Sequence, residues 1–120
     1  MPPFASVDDY QAAQEEPGRS VLAELRSRVP GLVPGVEEVV SYNIPTFALD
    51  GRRFLHAATW KKHLAIYPVP EPTPEDPGLA DDLAPYLSGQ STLKLVYRQG
   101  IPWPLVERVV LAHVHRAREG

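Results

Sequence analysis

At 120 residues the chain fits a single domain, and its 43% hydrophobic content suffices for one core of modest size. A net charge of -3 makes no electrostatic case for nucleic acid or an anionic membrane as partner, and the absence of cysteine excludes disulfides, thiolate nucleophiles and thiolate metal ligation. Met1-Pro2-Pro3-Phe4 lacks a basic region followed by an apolar stretch, and no apolar run approaches the ~20 residues of a membrane helix, so the expectation is a soluble, cytoplasmic protein.

Met1–Ser6 reads as a loose arm. Ser6 is a helix N-cap candidate, with Asp8 and Asp9 suited to the positive end of the dipole, and Pro17-Gly18 closes that helix. A second helix from about Arg19 to Val29 has Val21, Leu22, Leu25 and Val29 on one stripe; Pro30-Gly31 and Pro34-Gly35 then mark a loop. From Val36 the period becomes two. Val39–Leu49 and Arg52–Ala58 read as strands joined at Asp50-Gly51, the strongest short hairpin signal, and His63–Pro68 adds a third strand. Prolines 68, 70, 72, 74 and 77 predict an extended, exposed acidic loop over 69–78. A short helix Leu79–Leu87, a strand Thr92–Tyr97 and a last helix from Ile101-Pro102 to about Arg118 complete the chain. This order gives an α+β domain: an antiparallel sheet, with a three-strand meander plus a further strand, and helices packed on one face.

The turns set an expected register. With Asp50-Gly51 at the turn centre, Phe47 pairs with Phe54, Pro45 with His56 and Asn43 with Ala58. With Thr59–Lys62 as the connection, His56 pairs with Ala65 and Phe54 with Tyr67. One face then carries Ile44, Thr46, Leu55, Ala57, Leu64 and Ile66, the expected core. The other carries Asn43, Pro45, Phe47, Phe54, His56, His63 and Tyr67, an aromatic strip with two imidazoles and no helix assigned to cover it. Together with Tyr42 and Lys62 these are the candidate ligand-binding residues. Pro45 marks either a cis bond or a bulge, since proline does not suit a central strand.

For metal chemistry, His56 and His63 are the first pair to consider, though no carboxylate completes a site. Asp8, Asp9, Glu15 and Glu16 form a diffuse acidic alternative, while His113 and His115 stand two apart on a helix and point in different directions. Ser41, Ser88 and Ser91 lack a nucleophile elbow, and Gly31, Gly35 and Gly51 fall outside phosphate-loop contexts, so no catalytic residue is assigned.

Several blocks carry a family resemblance. Val7-Asp8-Asp9-Tyr10, then Glu37-Glu38-Val39-Val40-Ser41-Tyr42-Asn43-Ile44-Pro45-Thr46-Phe47, Lys61-Lys62-His63-Leu64-Ala65-Ile66-Tyr67-Pro68, Leu87-Ser88-Gly89-Gln90-Ser91-Thr92-Leu93 and Ile101-Pro102 resemble the YdhG-like family, a bacterial domain of unknown function. Asn43 stands where that family usually has glycine, and Gln90 and Ser91 replace a lysine and a glycine. The resemblance implies a secretion-chaperone-like α+β fold and one proposed activity, a frataxin-like iron chaperone, with iron as cargo. The competing expectation is a non-catalytic module that binds a small molecule or a protein through the aromatic face, as a homodimer in one version.

Overall fold

The computed structural model describes residues 3–119. Four α-helices, Val7–Ala13 (α1), Gly18–Leu32 (α2), Leu79–Leu83 (α3) and Trp103–Glu119 (α4), accompany six strands. The strands are Glu37–Ser41 (β1), Ile44–Leu49 (β2), Arg52–Thr59 (β3), His63–Tyr67 (β4), Leu87–Ser88 (β5) and Thr92–Val96 (β6). They form one sheet in the order β1-β2-β3-β4-β6-β5, and every pairing is antiparallel. The fold is α+β, and the residues of its buried core place the helices on one sheet face: Leu22, Leu25 and Val29 of α2 and Val106, Val109 and Val110 of α4 meet Leu55, Ala57, Leu64, Ile66, Leu93 and Leu95.

Ser6 caps α1 as expected, its Oγ accepting from the Asp9 N–H at 3.1 Å. The arm before it is tied from Phe4 onward: the Phe4 ring meets Tyr10 edge-on at 5.2 Å and its N–H donates to Asn43 Oδ1 at 2.7 Å. Met1 and Pro2 lie outside the described residues. Helix α2 runs past Pro30-Gly31, where the sequence suggests a stop. Val33 just beyond is fully buried, and its N–H reaches the Val29 carbonyl at 2.9 Å, so apolar burial carries the last turn across the missing proline N–H.

The sheet departs from the expected meander in three ways. Instead of a single strand from Val39 to Leu49 there are two, β1 and β2, joined by a turn at Tyr42-Asn43 whose φ values are 55° and 61°. Both central residues are left-handed, the mirror-image turn that matches strand twist. Asp50-Gly51 makes the same kind of turn at 52° and 80°, as expected.

Second, a bulge interrupts the β2–β3 ladder: Ala48 pairs with Arg53 but Phe47 pairs with Leu55, leaving Phe54 as the extra residue. A one-residue slip exchanges faces. Phe47 therefore enters the core at 1% exposure, Phe54 is buried in the same cluster, and Pro45 is buried too, so these three leave the expected aromatic strip. Thr46 takes the opposite face, paired with His56. The β2–β3 ladder stops at that pair, next to Pro45, which has no N–H to extend it. The cis bonds precede Pro17 and Pro68, not Pro45.

Third, the β3–β4 turn contracts to Lys61-Lys62, with the Trp60 N–H on the His63 carbonyl at 2.8 Å. His56 now pairs with Tyr67 and Ala58 with Ala65; this two-residue shift keeps each side chain on its expected face.

The proline-rich segment does not cover the sheet. It lies along α4: Arg108 grips Asp76 through two bonds of 2.7 and 2.8 Å and Asp82 at 2.8 Å, and Arg116 reaches Glu71 at 2.8 Å. His115 pairs with Glu75 at 3.4 Å, and His113 Nε2 bonds the Pro68 carbonyl at 2.7 Å. These basic groups of α4 fasten this strap to the helix.

Candidate functional site

Alternation places Val39, Thr46, His56 and Tyr67 in one row across the uncovered face, and Ser41, Ile44, Ala58, Ala65 and Lys94 in the next. Trp60, His63 and Val96 follow. Small residues thus form a floor between two walls. Ala58 and Ala65 are only 7% and 5% exposed although no helix covers them, because the walls shade them. Rows on one face repeat every two residues, so the walls stand about 13 Å apart at Cα, and the floor crosses β2, β3, β4 and β6 over about 14 Å.

The walls are rings. Tyr42 and His56 meet at 6.0 Å and 67°, His56 and Tyr67 at 5.3 Å, and Trp60 stacks on His63 at 6.1 Å and 14°. Thr46 Oγ1 bonds His56 Nδ1 at 2.8 Å and is itself fully buried, so this hydroxyl orients the imidazole and is no accessible nucleophile. That bond leaves Nε2 as the ring's second polar atom for a ligand. Arg53 reaches Ser41 Oγ at 3.3 Å.

Electrostatics distinguish this face. Burial, then the charge of Arg53, lowers the His56 pKa below the ordinary imidazole range; burial, then Lys94, does the same for His63. Burial raises Tyr67. The neutral form of both imidazoles is therefore favoured, and the charged groups that act on them are cations. Glu37 sits at the edge, on the strand-end pair with Ala48.

Of the nine residues chosen from sequence, the structure gathers Tyr42, His56, His63 and Tyr67 on this face. Asn43 braces the turn beneath Tyr42. Lys62 lies at the hairpin tip, at the opposite end of β4 from Tyr67, and its carbonyl accepts the Tyr97 N–H at 3.0 Å. Pro45, Phe47 and Phe54 belong to the covered side. Sequence reasoning missed Arg53, Lys94, Trp60 and the alanine floor. Lys94 had a signal: it alternates with Leu93 and Leu95, and so must point away from the core.

Metal ligation finds less. Among the described residues no group of three or more His, Asp or Glu side chains is placed to hold an ion. Arg26 lies 2.7 Å from both Asp8 and Glu38, and Arg19 lies 3.3 Å from Glu16, so the acidic candidates are partly neutralised. A cleft of about 500 Å³ between α4 and the strap is lined by Leu32, Thr73, Asp76, Arg108, Leu111 and His115, but its Arg108 is already engaged by Asp76 and Asp82. No helix among the described residues is long and apolar enough to cross a membrane.

No sequence model of a known family matches the chain, and no curated protein matches it. Among solved structures, a protein of the DUF1801 family, YdhG from Bacillus subtilis, superposes with a TM-score of 0.70 at 19% identity, covering 88% of this chain and 85% of that one. Asn43 suits its place in the turn, since asparagine accepts positive φ. The resemblance read from the sequence blocks holds at the level of fold: the chain is YdhG-like in architecture.

Proposed function

We propose that the protein is a binding module whose uncovered sheet face takes a small organic anion with a flat apolar body. The carrying observation is the presence of two cations on this face, Arg53 reaching Ser41 and Lys94 opposite Ala65, around an alanine floor flanked by aromatic rings. Rings and small apolar residues suit a planar body, and guanidinium and ammonium groups suit a carboxylate or phosphate. The same cations repel a metal ion, and this, with the partly neutralised acidic residues, is why iron handling receives less support than the family resemblance alone implies.

The test is an NMR titration that follows the imidazole resonances of His56 and His63. Phenylacetate should shift both saturably, whereas phenylacetamide, which keeps the ring and loses the charge, should bind roughly tenfold more weakly. Lys94→Glu should abolish the difference. Equal binding of acid and amide would sink the anion reading. Shifts that track protein concentration without added ligand would instead place a second copy on the face. Anaerobic calorimetry with ferrous iron tests the iron reading: saturable heat lost in His56→Ala/His63→Ala would revive it.

A further inference from the structure

Tyr42 occupies a backbone conformation that a bulky side chain rarely adopts. Its φ of 55° is left-handed, as is the 61° of Asn43, because the two-residue turn between Ser41 and Ile44 demands it. The Asp50-Gly51 turn of the same sheet shows the unstrained solution, a short polar residue followed by glycine. At the first turn a tyrosine is used instead, and that residue is 86% exposed, so core packing does not account for it. The ring nevertheless has a definite place, leaning back along β2 to meet His56 at 6.0 Å. Strain of this kind persists where the surroundings over-determine the conformation.

The surroundings do so here through Asn43. Its Oδ1 accepts the Phe4 N–H at 2.7 Å, across 39 residues of sequence, and the Phe4 ring packs edge-on against the buried Tyr10. A brace thus runs from the core through Tyr10, Phe4 and Asn43 to the turn that carries Tyr42. At the other end of the floor row stands Lys94.

Building on the proposed organic-anion site, we propose that Tyr42 is its specificity-determining lid and that Asn43 is the positioning residue that holds the lid in place. A ligand whose carboxylate meets Lys94 extends its body along Ala65 and Ala58 toward Ile44, where the Tyr42 ring covers it. An aromatic body gains an edge-to-face contact there that a saturated ring of similar size does not. The lid thereby selects flat, unsaturated ligands over aliphatic ones, while the cations select charge.

The test compares phenylacetate with cyclohexylacetate by NMR titration of the wild type and variants whose folding is checked by circular dichroism. Wild type and Tyr42→Phe should prefer the aromatic acid. Tyr42→Ala should bind phenylacetate roughly tenfold more weakly and lose the preference. Asn43→Ala, which disfavours positive φ and removes the acceptor for Phe4, should resemble Tyr42→Ala, and Asn43→Gly, which accepts positive φ, should recover most of the loss. Should Asn43→Ala not fold, Asn43→Asp, which keeps the acceptor, should retain the preference and Tyr42→Ala still lose it. Tyr42→Ala binding both acids as the wild type does would overturn the lid while the anion site stands. An Asn43→Ala protein that folds and keeps the preference would overturn the positioning role alone. A wild type that binds neither acid would overturn the anion site and the lid with it.

Discussion

The two faces of the sheet are made by the same strands, and they differ in what shades them. On the covered face, Phe47, Leu55, Leu64 and Ile66 are at most 1% exposed beneath α2 and α4. On the open face, Ala58, Ala65 and Thr46 are nearly as inaccessible with no helix above them, shaded by Tyr67, His56, His63 and the reach of Arg53 to Ser41. Burial on the first face comes from packing between elements and serves stability. On the second it comes from polar and aromatic rims, which a ligand can displace or join. One bulge at Phe54 decides which aromatic residues serve which purpose.

The largest test of that difference is stability. Phe47→Ala should cost about 3–5 kcal/mol in urea unfolding, since it opens a cavity in a closed core, whereas Tyr67→Ala on the half-buried rim should cost well under half of that. Equal losses would remove the distinction. Next comes the backbone: Gly51→Ala places a side chain at φ 80° with open space around it, so the cost is conformational, about 1–2 kcal/mol. Tyr42→Gly, at the corresponding turn, should cost less than that because it relieves the same strain. Reversal of this order would mean that the Tyr42 turn is not strained.

Acid should act on both faces with one sign. Burial lowers His113 on the covered side, as it does His56 and His63 on the open side. A depressed imidazole pKa means that the unfolded chain binds more protons, so this contribution is complete above the ordinary histidine range and is lost as pH falls through it. The melting temperature should therefore drop from about pH 7.5 to about pH 5.5, and His113→Gln should flatten the slope most. The Arg108–Asp76 pair adds its own loss only at lower pH, because the guanidinium holds that carboxyl below its usual value. The smallest effect concerns the strap: Arg108→Ala should leave the melting curve nearly unchanged but speed proteolysis between Pro70 and Gly78.

Most of the architecture was legible because local chemistry decided it. Asp50-Gly51 names its turn, the stripes of α2 and α4 name their buried faces, and Leu93-Lys94-Leu95 alternates plainly. The register around Phe54 was not legible. Phe54 and Leu55 are both apolar, so either register buries a suitable side chain, and nothing in the local pattern marks the extra residue. Tyr42-Asn43 carries only half of a turn signal, which hid the first hairpin. Arg53 and Lys94 joined the candidate site only when the bulge and the β4–β6 pairing placed them on the open face. The strap's ion pairs join residues far apart in sequence, which composition does not reveal.

The central claim, that the open face binds an anion among its two imidazoles and two cations, is tested most directly by the pH dependence of phenylacetate affinity. Acidification from about pH 7.5 to about pH 5.5 raises the protonated fraction of His56 and His63 while the carboxylate stays ionised, so affinity should rise, and the rise should vanish in His56→Gln/His63→Gln. Affinity that falls over this range, as it would for a ligand held by neutral imidazoles, would contradict the account.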